Sequence, residues 1–144
     1  EAGVATPLIV HWPAGVKGKG ALRHAPSHLI DIAPTCLAAA GLEGRGMEGE
    51  SLLPVFAQDQ KKERTLFWEH EGNRALRKGD YKLVAMHNTP WELYDMSKDR
   101  SELKDLASAM PKKTAELRSA WEAWAKRVGA MPWDEVNVKK KKKK

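Results

Sequence analysis

The chain has 144 residues, enough for one modest hydrophobic core or for parts of a core that another segment completes. Of its 25 basic residues, six form the run Lys139–Lys144, and the 19 that remain balance the 19 acidic residues of a neutral body. A body without excess base does not suit a nucleic-acid-binding face. The single cysteine, Cys36, excludes an intrachain disulfide, and no apolar run is long enough to predict a membrane span.

A continuous apolar segment near the start predicts a buried β-strand. Leu8–Val10 lies between Pro7 and Pro13, and such a run is typical of a strand covered on both faces in an α/β sheet. His11 follows at its carboxyl end, where such sheets bind ligands, although a hydrogen bond to a loop would explain it equally well. Because the chain opens abruptly on this strand, we expect residues 1–50 to be a strand–loop–helix remnant of a larger α/β domain.

A helix is predicted within residues 27 to 40. Pro34 places its start near the middle of this span, with Asp31 at its N-terminus, and Gly41 is a natural stop. Cys36 lies on the apolar side of this helix and lacks the electropositive setting of a catalytic thiolate, so we expect it to be buried as a small hydrophobic residue.

A histidine pair before this helix is the nearest approach to a metal-binding motif. His24 and His28 have the i, i+4 spacing that can chelate a metal on a helix. Pro26 lies between them and disfavours a regular helix there, so we expect no metal site in this chain.

After a linker at residues 51–62, the sequence predicts a C-terminal α+β subdomain over residues 63–133. Residues 64 to 96 predict three strands of an antiparallel meander, and a later segment alternates with period two. The strands are Arg64–His70, Asn73–Arg77 and Tyr81–Met86, and the alternating segment is Trp91–Asp95.

Two helices and a disordered tail are predicted after the meander. Asp99 and Glu102 have capping-box spacing, which indicates a short helix continued by an apolar stripe that ends at Met110. The final helix is predicted to begin at Pro111 and end at Gly129. One face of it should pack on the meander through Leu117, Trp121, Trp124 and Val128. We expect residues 134–144 to be a disordered lysine-rich tail.

The polar stretch Trp68–Arg77 is the candidate functional site. Alternation places His70 and Glu69 on opposite faces of the first strand, and a turn over residues 71–73 should bring Asn73 and Arg74 near His70. Arginine and histidine bind sulfate, phosphate, carboxylate or sugar hydroxyls. The alternative is a solvated hairpin with Glu–Arg pairs across its strands.

Three separated blocks resemble type I sulfatases. Glu1–Gly15 resembles the segment that begins Glu-Gly-Gly and continues into a strand ending in Trp-Pro-x-Gly. His28–Thr35 matches the following Asp-x-x-Pro-Thr helix start, and Trp91–Asp95 resembles the C-terminal strand. The Trp68–Arg77 stretch is similar to a bacterial arylsulfatase-like subgroup. Order and spacing agree over residues 1 to 133.

The resemblance implies the C-terminal third of an arylsulfatase-like enzyme of the alkaline phosphatase superfamily. The chain would comprise the end of a sulfatase-type α/β sandwich and the whole C-terminal subdomain. The family's formylglycine arises in a Cys/Ser-x-Pro-x-Arg motif, which Cys36–Ala40 does not match, and its calcium-binding acids would lie before residue 1. The resemblance therefore implies Ca²⁺ and formylglycine in the full-length enzyme only.

The same resemblance implies what the parts of this chain would do. The Trp68–Arg77 stretch would form a pocket wall for a sulfated small molecule or glycan, with His70, Asn73 and Arg74 on the substrate side. The isolated chain, without its N-terminal sulfatase domain, should be inactive. The resemblance is compatible with a periplasmic or secreted protein, and the sequence itself does not fix the compartment.

Two other hypotheses stay open at this stage. The chain could be a non-catalytic polyanion-binding module that uses the hairpin and the lysine tail. It could also be a fragment of another alkaline-phosphatase-superfamily hydrolase, such as a phosphoester or phosphonate hydrolase. The upstream nucleophile motif would distinguish the latter from a sulfatase.

Overall fold

A computed structural model describes residues 3–18, 20–60 and 63–141, with side chains as far as residue 137. The chain forms two compact units, one of Ala5–Glu63 and one made mainly of the residues from Arg64 on. None of the helices in these described ranges is both long and apolar enough to cross a membrane.

The first unit is built around one helix with well-defined ends. A 3₁₀ turn, Leu29–Asp31, leads into α1 (Ile32–Ala39), and a second short helix, α2, spans Leu53–Ala57. Gly41 adopts a left-handed φ of 75° and its N–H donates to the Ala38 carbonyl at 3.1 Å, which ends α1 as predicted.

Asp31 fixes the start of α1 to a later loop. It is fully buried, and its carboxylate accepts hydrogen bonds from the N–H of His28 at 2.8 Å and of Glu50 at 3.0 Å. The backbone of Gly49 passes so close to residue 30 that a Cβ there would overlap the Ile30 carbonyl. This part of the chain therefore needs both the carboxylate and the glycine.

Two sequence predictions for the first unit are wrong. Leu8–Val10 is not a strand, because no described segment hydrogen-bonds to it, and Ile9 is 89% exposed. An apolar run becomes a strand only when another strand satisfies its backbone groups. Cys36 is exposed rather than buried, because α1 directs Pro34 rather than Cys36 towards the interior.

The second unit contains an antiparallel meander, as predicted. Its four strands are β1 (Thr65–His70), β2 (Asn73–Lys78), β3 (Tyr81–Ala85) and β4 (Glu92–Asp95), paired in chain order. The period-two segment adds the fourth strand to the three predicted, since Leu93 pairs with Leu83 in β3. The residues Phe67, Leu76, Leu83 and Leu93 share one face of the sheet.

The helix α3 (Pro111–Val128) covers this face, as predicted. Leu117 is fully buried, and Trp124 stacks on Phe67 with 5.1 Å between ring centroids. The prediction that Val128 packs there is wrong, because the row of contacts passes through Ala125 instead and leaves Val128 44% exposed. The core of this unit is therefore leucines from the sheet closed by tryptophans from the helix.

The short helix predicted after Asp99 is absent, and residues 99–110 form turns. The Asp99 carboxylate accepts hydrogen bonds from the N–H groups of Leu103 at 2.9 Å and Lys104 at 2.8 Å, which lowers its pKa. Glu102 has a left-handed φ of 57°, which interrupts a helix. The aspartate thus forms a loop instead of capping a helix, and Leu103 is 86% exposed.

A fourth helix, α4 (Trp133–Lys141), follows α3. Sequence alone predicted a disordered tail from residue 134, so the structure differs for residues 134–141, and residues 142–144 lie outside the described part. Asp134 and Glu135 in the first turn favour a helix because they complement its N-terminal dipole. The Glu135 N–H also donates to the Pro132 carbonyl at 3.1 Å.

Candidate functional site

The site predicted from sequence lies at the end of the β1–β2 hairpin, and we call residues 70–73 the hairpin end. Its turn has two residues, because His70 pairs with Asn73 and only Glu71 and Gly72 intervene, with φ of 53° and 83°. Two successive positive φ angles are the signature of a type I′ turn, which suits the twist of a hairpin. The Gly72 N–H donates to Glu69 Oε1 at 2.9 Å and further restrains the turn.

His70 is exposed at the hairpin end, as are Glu71 and Asn73. In the described part of the chain no hydrogen-bond partner contacts its imidazole, while its carbonyl accepts a bond from Asn73 Nδ2 at 2.9 Å. Its backbone is therefore fixed and its ring is available to a ligand. An imidazole can donate or accept hydrogen bonds and can carry charge near neutral pH.

Asn73 connects the hairpin end to the β3–β4 turn. In addition to its bond to His70, its Oδ1 accepts a hydrogen bond from the His87 N–H at 3.1 Å. Its amide is thus used on both sides within the protein. The structure brings Asn73 and His70 together, as the sequence predicted. The Asn73 amide, however, is hydrogen-bonded within the protein rather than free to bind a ligand.

Arg74 lies on the opposite face of the sheet from His70, because strand residues alternate between faces. Its guanidinium lies over Trp91, 4.6 Å from the ring centroid, and 5.9 Å from that of Trp121. Its Nη2 donates to the Thr89 carbonyl at 3.5 Å, and its buried Nε has no hydrogen-bond partner in the described structure. Arg74 therefore joins the sheet to α3, and the structure does not bring it beside the His70 ring.

Sequence reasoning missed the group that packs against the hairpin end. His87 Nε2 lies 3.2 Å from Asp134 Oδ1 at the start of α4, and Asn88 Nδ2 is 3.1 Å from the same ring nitrogen. Gly72 packs so closely here that a Cβ would overlap the His87 imidazole and approach the Trp133 Cβ. The glycine of the turn was the available signal, since close approach of another element is one of its uses.

A buried ion pair lies further along the His70 face. Lys82 is 5% exposed and its Nζ lies 2.6 Å from Glu102 Oε1. Burial raises the pKa of Glu102, but the hydrogen bond from the Lys82 ammonium and its charge are among the contacts that bring this pKa below its ordinary value. The signal in the sequence for this buried ion pair was a lysine within the apolar run of β3. On the same face, burial and the hydrogen bond to Glu92 raise the pKa of Tyr94.

The arrangement offers binding groups rather than a reaction centre. Among the described residues no group of three or more His, Cys, Asp or Glu side chains could hold a metal ion. His11, the fourth predicted site residue, is exposed in the first unit, as is Cys36. The hairpin end can thus contact an anion or a sugar, whereas these residues provide no activated nucleophile beside it.

Comparison with known proteins gives a family for the chain. The family model described as N-sulphoglucosamine sulphohydrolase, C-terminal, matches residues 1–125. An uncharacterized sulfatase of Schizosaccharomyces pombe is 30% identical over 91% of the chain and 26% of that protein. Arylsulfatase K of Danio rerio is 34% identical over 73% of the chain and 23% of its own length. The chain spans about a quarter of the length of these relatives.

Solved structures resemble the chain in the same way. A protein crystallised with its substrate D-glucosamine-2-N,6-O-disulfate has a TM-score of 0.56 and 28% identity, over 71% of this chain and 24% of that one. Ps i-CgsB in complex with k-i-k-neocarrahexaose has a TM-score of 0.57 and 22% identity, over 66% and 23%. The second likeness concerns the fold alone.

Proposed function

We propose that the chain is the C-terminal part of an enzyme that hydrolyses sulfate esters. The reason is that the chain belongs to the family of N-sulphoglucosamine sulphohydrolase C-terminal domains. The observation that carries this proposal is the family match over residues 1–125. Relatives named as sulfatases support it. The disulfated glucosamine of a 28% identical structure favours a sulfated sugar as the substrate.

In this proposal the chemistry takes place on residues outside the chain. Ca²⁺ and a formylglycine in the rest of the enzyme would supply the electrophilic activation and the nucleophile. The isolated chain is accordingly expected to be inactive.

His70 is the substrate-contacting residue of the proposal. Its ring is exposed on a restrained turn, so it can bind a sulfate oxygen or a sugar hydroxyl with little loss of conformational freedom. Asn73 and Arg74 stand behind it: Asn73 binds the His70 carbonyl, and Arg74 holds the neighbouring strand against α3. The charge-assisted hydrogen bonds available to a protonated imidazole favour an anionic group over a neutral one.

The first unit completes the large α/β domain in the same proposal. Leu8–Val10 has the composition of a buried strand but is exposed, and the rest of the enzyme would supply its strand partners. Other apolar residues of this unit are exposed as well, which supports a covered surface in the whole protein. They include Leu22, Leu29, Ile30, Ile32, Leu42 and Met47.

The test measures sulfate release by the full-length protein that contains this chain. The substrates are 4-nitrophenyl sulfate and D-glucosamine-2-N,6-O-disulfate, with Ca²⁺ present. We expect turnover by the full-length protein and none by the isolated chain. Hydrolysis of phosphonate or phosphate monoesters without hydrolysis of sulfate esters would contradict the proposal, and so would turnover by the isolated chain.

The role of His70 is tested in the same assay. Loss of a hydrogen bond to a charged group costs about 1.5–3 kcal/mol, so His70→Ala should lower kcat/KM on the order of tenfold or more. Lys104→Ala, at an exposed loop position, is the matched control and should leave kcat/KM unchanged. If the two variants behave alike, His70 does not contact the substrate.

A further inference from the structure

The helix α4 lies after the part of the chain that the family model matches. The match ends at residue 125, and α4 begins at Trp133. Its first turn nevertheless contacts the hairpin end, because a Cβ added to Gly72 would lie 3.0 Å from the Trp133 Cβ. The family match therefore assigns no role to this contact with the candidate site.

Three contacts in series connect α4 to His70. Asp134 Oδ1 lies 3.2 Å from His87 Nε2, in the β3–β4 turn. The backbone N–H of His87 donates to Asn73 Oδ1 at 3.1 Å, and Asn73 Nδ2 donates to the His70 carbonyl at 2.9 Å. The His87 ring also packs against Gly72, so closely that a Cβ there would overlap its Nδ1. A displacement of His87 therefore displaces the hairpin end at two of its residues.

The ring nitrogen Nε2 of His87 has two neighbours that need different protonation states. The Asp134 carboxylate accepts a hydrogen bond only when Nε2 carries a proton. The Asn88 amide nitrogen, 3.1 Å from the same atom, is a donor and needs the Nε2 lone pair. A charged imidazole has a hydrogen on both nitrogens and can bind only Asp134, whereas a neutral one can bind either neighbour. Loss of the proton therefore weakens the attraction to Asp134 and gives the ring a competing partner.

Asp134 is the charged residue among those that these contacts bring to His87. The α4 helix, the hairpin end and the β3–β4 turn contribute Trp133 and Asp134, Gly72 and Asn73, and Asn88. Other titratable groups close in sequence to these residues are exposed, namely His70, Glu71 and Glu135. The two glutamates add to the attraction for a protonated His87 at longer range, and a protonated His70 opposes it. The direct effect of protonation therefore acts through Asp134.

We propose that Asp134 is a positioning residue for the candidate site: its bond to His87 holds the hairpin end, and thereby His70, most firmly while His87 is protonated. The consequence for substrate binding rests on the proposed function, which makes His70 the contacting residue. The attraction is present at acidic pH and is lost as the imidazole gives up its proton, a change that histidines ordinarily undergo between about pH 5 and 8. Because the Asp134 side chain is 73% exposed, solvent limits the change in the equilibrium between held and released turn to about two- to fivefold.

Amide exchange with solvent tests the contact in the full chain without any turnover. The Gly72 N–H, which donates to Glu69 Oε1, reports opening of the turn. Asp134→Asn keeps an acceptor in the same place but removes the charge. At about pH 5.5 it should raise the Gly72 exchange rate, measured by NMR against the original chain at the same pH, about two- to fivefold. At about pH 8 the two rates should agree. An equal rise at both pH values, or none at either, would overturn the proposal.

Glu135→Gln is the matched control, since it removes one negative charge from the same first turn of α4. Both acids favour the helix through its N-terminal dipole, so equal effects of the two variants would assign the result to the helix and overturn the proposal. We expect Glu135→Gln to leave the Gly72 rate unchanged. In a chain that carries His87→Gln, which cannot titrate, adding Asp134→Asn should have no pH-dependent effect. A pH-dependent effect that persists there would contradict the role of His87.

The full-length protein provides the second readout. A substrate contact made equally in the ground state and the transition state affects binding alone, so Asp134→Asn should raise KM up to about fivefold near pH 5.5 with kcat unchanged. A merely structural role would instead lower the active fraction, and with it kcat, at constant KM. Because amide exchange needs no turnover, the expected exchange rates without sulfatase activity refute the proposed function alone. Sulfatase activity with exchange rates that do not depend on Asp134 refutes this inference alone.

Discussion

Removing the guanidinium of Arg74 tests whether this residue is structural or binds a ligand. The change Arg74→Met keeps an unbranched stem but removes the charge that lies over Trp91, at 4.6 Å, and near Trp121, at 5.9 Å. A partly desolvated cation–π contact contributes about 1–2 kcal/mol, and the second, at the distance limit, about 0.5 kcal/mol. Removing the unpaired buried Nε restores about 1 kcal/mol of stability, so the free energy of unfolding should fall by a net amount of about 0.5–1.5 kcal/mol.

The assay is urea unfolding followed by tryptophan fluorescence, which reports mainly on the second unit because five of the six tryptophans lie there. Arg118→Met is the control, since Arg118 forms an exposed pair with Glu122 at 2.7 Å that is worth about 0.3–0.5 kcal/mol. Salt separates the two variants further. About 0.5 M salt should abolish the effect of the exposed pair and leave that of Arg74→Met.

The opposite result would refute this reasoning. An Arg74→Met chain as stable as the original, combined with a loss of kcat/KM in the full-length protein, would mean that the guanidinium binds a ligand rather than the tryptophans. If the guanidinium is structural, Arg74→Met should lower the free energy of unfolding. The value of kcat/KM should then change only to the extent that the hairpin moves.

Three further predictions concern close packing and buried charge. Gly72→Ala combines a φ of 83° with overlap of the His87 ring, so it should cost more than about 1 kcal/mol in unfolding free energy. Gly79→Ala, at a φ of 57° with nothing within 4 Å of the added Cβ, is the control and should cost less in the same urea titration. Lys82→Met leaves Glu102 buried without this ammonium, which should cost about 3–5 kcal/mol, and adding Glu102→Gln should restore part of it in thermal or urea unfolding. The lowered pKa of Glu102 adds stability that is complete above its unfolded pKa and is lost as the pH falls through the folded one, so Glu102→Gln should flatten the acid side of the stability profile.

The elements that the sequence predicts correctly are those whose pattern is local. The final helix has Pro111 at its first position and Gly129 in a left-handed conformation just after its end, and both signals act within one turn. The meander follows from alternation, and the stop of α1 follows from Gly41. Each of these needs information from only a few neighbouring residues.

The errors arise where distant groups decide the outcome. Leu8–Val10 has the composition of a strand, but a strand also needs partners that its own sequence does not specify. At Asp99 the local pattern fits a helix cap equally well, and the competing bonds to the Leu103 and Lys104 N–H groups determine a loop. Periodicity alone resolved neither case.

At the candidate site, the length of the turn was the missing piece of information. A three-residue turn over residues 71–73 would have left Arg74 free to approach His70. The two-residue turn instead pairs Asn73 with His70 and sends Arg74 to the α3 face. The Glu-Gly sequence, with a glycine able to take positive φ at its second position, was compatible with the shorter turn and would have predicted this separation.

The polar residues at the hairpin end and Arg74 beside it therefore have different roles although they are adjacent in sequence. Asn73 uses both sides of its amide inside the protein, and Arg74 stacks on tryptophans, so neither is available in the way that its chemistry suggests. Their contacts fix the two strands and the turn between them. An exposed imidazole gains binding strength when its backbone is already ordered, because less conformational entropy is lost on contact. The Trp68–Arg77 stretch can thus form one wall of a substrate pocket, with His70 as the contacting residue. The neighbours of His70 contribute by holding its backbone in position.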